Sequence, residues 1–149
     1  MKRITISALG ILSAALIWSC STEDLVGSME VSFSGQSWKA ELAAARVENN
    51  MLVVAGKRGS SSFVMAMPDS VGSYTLANLV QNPMLPDVSP FVYIPDTSQV
   101  EGSYLGFAGE MQLSASSNLR VSGNFTVRAA NMASDTLEFT GSFKNLLRP

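Results

Sequence analysis

From Met29 onward, apolar and polar residues alternate with a period of two, the pattern of strands buried on one face. Met29, Val31 and Phe33 alternate with Glu30, Ser32 and Ser34, and Gly35-Gln36 then gives a turn signal. Trp38, Ala40 and Leu42 alternate with Lys39 and Glu41. Ala43-Ala44-Ala45 favours helix by propensity, but the alternation enters it from Trp38 and predicts a strand. Asn49-Asn50 is the next turn, and Leu52 and Val54 begin a strand that ends at Gly56-Lys57-Arg58-Gly59. Phe63 to Met67 reads as a strand closed by Pro68, Tyr74 to Leu79 as another, and Phe91 to Ile94 as an apolar burst. Met111 and Leu113 alternate with Gln112 and Ser114. The longest alternation is Leu119, Val121, Gly123, Phe125, Val127 and Ala129, and the last is Leu137, Phe139, Gly141 and Phe143. Short strands between frequent turn signals predict an all-β fold, a single antiparallel β-sandwich or flattened barrel of about 8–10 strands. No helical period stands out in this region.

A local pattern recurs as Gly72-Ser73-Tyr74, Gly102-Ser103-Tyr104, Gly123-Asn124-Phe125 and Gly141-Ser142-Phe143. Its spacings of 30, 21 and 18 residues rule out a fixed repeat. A glycine two residues from an aromatic on one strand face permits close backbone approach, and a ring can cover a neighbouring glycine. The pattern therefore predicts sheet architecture before it predicts a ligand.

The first 28 residues differ. Lys2 and Arg3 precede the apolar run Ile4 to Trp18, fifteen residues long. A bilayer core of ~30 Å needs a helix of about 20 residues, so this run is short for a span and reads as an export signal. Ser19 and then Cys20, the only cysteine, end it. Ile17-Trp18-Ser19-Cys20 resembles the lipobox of bacterial lipoproteins, although Trp18 is bulkier than is usual at its position. The resemblance implies cleavage before Cys20, diacylation of its thiol and acylation of the new amino terminus. Ser21 is not the aspartate that retains such proteins in the inner membrane, which implies the outer membrane. Cys-Ser-Thr-Glu-Asp also resembles acidic signals for the cell surface, so the periplasmic face and the surface both stay open. Ser21 to Ser28 is polar and aperiodic, a tether with a reach of at most about 27 Å. The expected organisation is a signal peptide over 1–19, an acylated cysteine and tether over 20–28, and a β domain over 29–149.

Composition narrows the chemistry. Past the leader, eight Lys and Arg face twelve Asp and Glu, so the domain is mildly acidic and lacks the footprint of a nucleic-acid binder. Histidine is absent, which removes the usual general base and the commonest metal ligand. Lys39, Lys57 and Lys144 have no partner motif that would activate a serine, and acylation would consume the Cys20 thiol. No cofactor and no metal is expected.

The candidate sites are correspondingly modest. Asn82 to Pro90 holds three prolines around the apolar Met84, Leu85 and Val88, with Asp87 among them, and is read as a candidate binding loop or an insertion folded over one end. Asp87, Asp96 and Glu101 would serve a glycan hydrolase or an ion site only at suitable separations. Met65 and Met67 share a predicted strand face with Phe63, which suits a core more than copper(I). Asp69-Ser70-Val71 and Asp135-Thr136-Leu137 resemble a short bacterial O-glycosylation acceptor at predicted turns, making Ser70 and Thr136 candidate sites.

Gly35-Gln36-Ser37-Trp38-Lys39-Ala40, Gly72-Ser73-Tyr74-Thr75-Leu76, Val121-Ser122-Gly123-Asn124-Phe125-Thr126-Val127 and Gly141-Ser142-Phe143 occur in that order. The order resembles a family of small exported β-rich bacterial lipoproteins of unknown function, which implies an antiparallel β domain on a lipid tether and supplies no activity. The expected function is a non-enzymatic binding or structural module of the cell envelope. It would be held to the membrane by its lipid and would contact an envelope protein or a glycan. A lipocalin-like carrier of a small apolar ligand is the first alternative, since Gly35-Gln36-Ser37-Trp38 resembles the Gly-x-Trp start of lipocalins, although its spacing is one residue too long. A carboxylate-based glycan hydrolase is the second.

Overall fold

A computed structural model describes residues 27–81, 89–117 and 119–148. Ten strands form there: β1 (Ser28–Phe33), β2 (Gln36–Lys39), β3 (Leu42–Glu48), β4 (Met51–Arg58), β5 (Ser61–Pro68), β6 (Gly72–Thr75), β7 (Phe91–Ile94), β8 (Tyr104–Ser116), β9 (Arg120–Ala130) and β10 (Thr136–Leu147). They join in the order β2-β1-β10-β9-β8-β7-β5-β4-β3, with β6 also on β8. Every pairing is antiparallel, and the sheet curls into a half-barrel. Of the two arrangements the alternation allowed, the chain forms the one built from a single curled sheet.

The two edge strands are consecutive in the chain. Ala40 N–H donates to Met29 O on β1 at 2.9 Å, and Glu41 N–H donates to Lys57 O on β4 at 2.8 Å. One step of backbone therefore carries the chain from one edge of the curl to the other, and it leaves fewer open ladder groups where a foreign strand would pair. The alanine run does join β3, because Ala45 is buried while Ala43 and Val47 rest on the core. Asn49 and Asn50 have φ of 52° and 63°, the left-handed pair of a tight hairpin turn whose twist matches its strands.

Tyr74 to Leu79 is not one strand. β6 stops at Thr75, and Leu76–Val80 forms the short helix α1. Thr75 is extended, and its hydroxyl accepts from Asn78 N–H at 3.4 Å, which satisfies a donor that the first helical turn leaves free. Leu76 and Leu79, one turn apart, are both buried in the core of the curl. Gly106 makes room for Leu76: a Cβ there would lie 2.6 Å from Leu76 Cδ2. The turn expected from Gly56 onward also moves, since β4 pairs with β5 through Arg58 and turns at Gly59-Ser60.

The concave side is filled by aromatic and methionine side chains. Phe63, Met65 and Met67 on β5 are wholly buried. Phe63 lies directly opposite Tyr93 on β7, and the two rings stack at 4.4 Å. Phe139 meets both rings edge-on or tilted at 5.4 and 5.2 Å, within the range of favourable ring pairs. The glycine–aromatic pattern has a structural cause here. Phe125 on β9 faces Gly141 on β10, and Phe143 on β10 faces Gly123 on β9. A Cβ on either glycine would lie 2.5 Å from the Cζ of the opposite ring. Two adjacent strands thus exchange the same motif, each ring covering the other strand's glycine.

Candidate functional site

The end of the half-barrel at which β1 begins draws together separate parts of the chain. Ser28 pairs with Lys144, Arg120 with Leu147, Ser116 with Val121, and Met51 with Pro68. Gly27 is pressed against this end, where an added Cβ would lie 2.6 Å from Leu146 Cδ2 and 2.8 Å from Asn145 O. Arg148, just past β10, links the loops. Its guanidinium lies 2.5 Å from Asp69 Oδ2 after β5 and donates to Ser116 Oγ at 2.8 Å on β8. Its backbone N–H donates to Leu119 O at 2.8 Å. Asp69 Oδ1 is buried and has no hydrogen-bond partner among the described residues. Val71 and Leu119, at the tips of the two tied loops, are 59% and 66% exposed.

The residues singled out in the sequence do not form one site. Cys20 and the loop residues Met84, Leu85, Asp87 and Val88 lie outside the described residues. Ser70 is exposed in the bend after β5, where the Tyr74 hydroxyl donates to its carbonyl. Thr136 is exposed but is not in a turn. It is the first residue of β10, opposite Ala130, while Asp135 closes the preceding turn by donating its N–H to Asn131 Oδ1 at 2.9 Å. The two acceptor-like serine and threonine residues thus sit at opposite ends of the half-barrel.

Of the three carboxylates, Asp96 and Glu101 are described. Asp96 Oδ1 accepts from the Ser98 hydroxyl at 2.7 Å and from the Ser98 N–H at 2.9 Å, closing a turn. These bonds hold its carboxyl below the usual aspartate range. That direction suits a turn anchor and opposes a role as general acid, which needs a raised value. Glu101 lies in a one-turn 3₁₀ helix, Val100–Gly102, on the wall of an open depression of about 410 Å³ formed by Ser98 to Gly102. Among the described residues, no three Cys, Asp or Glu side chains gather as a metal site would require. Lys39 pairs with Glu30 at 3.5 Å across exposed strands, a contact of small energetic weight.

Trp38, the residue behind the lipocalin comparison, is a core residue. It meets Phe63 edge-on at 4.8 Å, and its indole N–H donates to Ser61 Oγ at 2.8 Å.

A second apolar face lies where period-two alternation does not predict one. The convex side is apolar over half the sheet, where Ala44, Ala55, Val64, Val92, Leu105 and Ala130 follow one another across six strands. Leu105 is 50% exposed, and beside it Phe107 carries the Arg128 guanidinium 5.3 Å above its ring. The signal lay in Met51–Ala55 and Phe63–Met67, which are continuous apolar runs where a strand wetted on one side would alternate.

No curated protein and no solved structure matches the chain. Residues 27–146, which take in all ten strands but the last residue of β10, match the family described as a domain of unknown function (DUF6252), and the chain belongs to that family.

Proposed function

We propose that the protein is a lipid-anchored lipoprotein of the cell envelope, seated in the outer membrane, whose β domain is a non-enzymatic binding or structural module. The observation that carries this reading is the order of segments in the sequence: a positive start, fifteen apolar residues, Ser19-Cys20, a polar stretch, and then the β domain. Three acyl chains on one residue would hold the membrane far more firmly than one, since each buried CH₂ contributes about 0.8 kcal/mol. The non-enzymatic part is supported by Asp96, whose carboxylate is engaged in its own turn. The carrier reading has less support, because a ligand inside the curl would have to displace Phe63, Phe91, Phe139 or the Leu76 of α1.

Labelled palmitate fed to cells that make the protein tests the anchor. Label should enter the wild-type chain, and Cys20→Ala should lose it and leave the membrane fraction. Label that persists in Cys20→Ala would sink the proposal.

A further inference from the structure

We infer that the end of the half-barrel at which β1 begins seats directly on the lipid headgroup surface, with Val71 and Leu119 dipping into it and Lys144 and Arg120 facing anionic headgroups. The inference rests on the anchoring of Cys20. Gly27 is the seventh residue after Cys20, so the anchor lies at most about 25 Å from the point where the chain meets Asn145 and Leu146. A lipid held at Cys20 therefore brings this end of the domain to the bilayer before any other.

The end is also built for such a contact. Two exposed aliphatic side chains occupy neighbouring loop tips, and Arg148 ties those loops together through Asp69, Ser116 and Leu119. Ordered loops lose little freedom on docking, which favours binding. The acids near this end are occupied: Asp69 by Arg148 and Glu48 by Arg46 at 2.7 Å. Lys144 and Arg120 have no carboxylate partner among the described residues. The far end, at the turns after β4, β7 and β9, carries Asp96, Glu101 and Asp135 against Lys57 and Arg58, while Glu41, one residue past the Ala40 N–H that bonds Met29 O, is engaged by accepting from Gly59 N–H at 3.1 Å. Cations close to an anionic surface are attracted over about a Debye length, so this distribution favours one orientation of the domain. Glu23 and Asp24 in the tether oppose that attraction, so the contact rests on the apolar tips as well as on the cations.

The test uses the mature lipoprotein, methyl-labelled, in nanodiscs of phosphatidylcholine and phosphatidylglycerol doped with nitroxide-headgroup lipid. The Val71 and Leu119 methyl signals should lose intensity several-fold more than the methyl of Met132, which is 89% exposed at the far end. Leu119→Ser with Lys144→Glu should remove that difference while the spectrum of the core stays unchanged; both residues are exposed. Equal losses at all three methyls, or a greater loss at Met132, would overturn the inference. So would Val71 and Leu119 shifts that grow with protein concentration in the absence of lipid, which would assign this end to a second copy. A purified chain without acyl mass would instead refute the anchoring, and coupling the Cys20 thiol to a maleimide phospholipid would still decide how the domain sits.

Discussion

Gly141→Ala tests the account of the glycine–aromatic exchange. An added Cβ would lie 2.5 Å from Phe125 Cζ and 2.6 Å from Glu30 O, both nearly 1 Å inside ordinary contact. Neither neighbour yields easily. The Phe125 ring is held by Phe91 at 5.6 Å, and Glu30 O belongs to the backbone of β1, whose Val31 is paired with Gly141 itself. Overpacking of a core typically costs about 1–3 kcal/mol, and a contact with strand backbone belongs at the top of that range. About 3 kcal/mol in a domain of this size lowers Tm by roughly 10 °C. Gly102→Ala is the control, since no atom lies within 4 Å of its Cβ position and it is not among the glycines with positive φ. Thermal and urea unfolding of both variants make the comparison. Adding Phe125→Leu to Gly141→Ala should recover part of the loss by relieving one of the two contacts. A Gly141→Ala protein as stable as Gly102→Ala would show that the Phe125 ring does not need a glycine opposite it.

The Arg148–Asp69 pair is mostly buried, with side-chain exposures of 23% and 14%, so Arg148→Ala should cost about 2 kcal/mol in urea unfolding. Asp69→Asn should cost less, because a neutral amide is cheaper to leave buried than an unpaired carboxylate. Ser98→Ala should raise the Asp96 carboxyl toward the ordinary aspartate value in an NMR titration, since the Ser98 hydroxyl makes the largest contribution to lowering it. The sign follows from that direction: the stability gained from Asp96 is present above its unfolded-state pKa and fades as pH falls through the lower folded-state value.

Much of the sheet was legible because its strands alternate against one filled core. Val121 to Ala129 and Leu137 to Phe143 are half-wetted strands, and their inward residues are the buried ones. The first half of β8 escaped detection because its outward residues, Leu105 and Phe107, are apolar, while Gly106 and Gly109 interrupt the pattern. Alternation was invisible there for the same reason that the convex apolar row exists. The sequence of α1 reads as strand because five residues hold only two inward positions, Leu76 and Leu79, too few to set a helical period against the preceding Tyr74-Thr75. The only local sign was Thr75 three residues before Asn78. The Arg148 linkage had no sequence signal at all, since it joins β5, β8 and the end of β10 through contacts up to 79 residues apart. The candidate carboxylates could not be judged from spacing either, because what Asp96 does depends on a turn two residues long.

The intact mass of the protein extracted from membranes decides where the protein resides. The mature chain should begin at Cys20 and carry a thioether-linked diacylglycerol with an acylated amino terminus. An unmodified Cys20, or a mature chain that begins elsewhere, would contradict anchoring at Cys20.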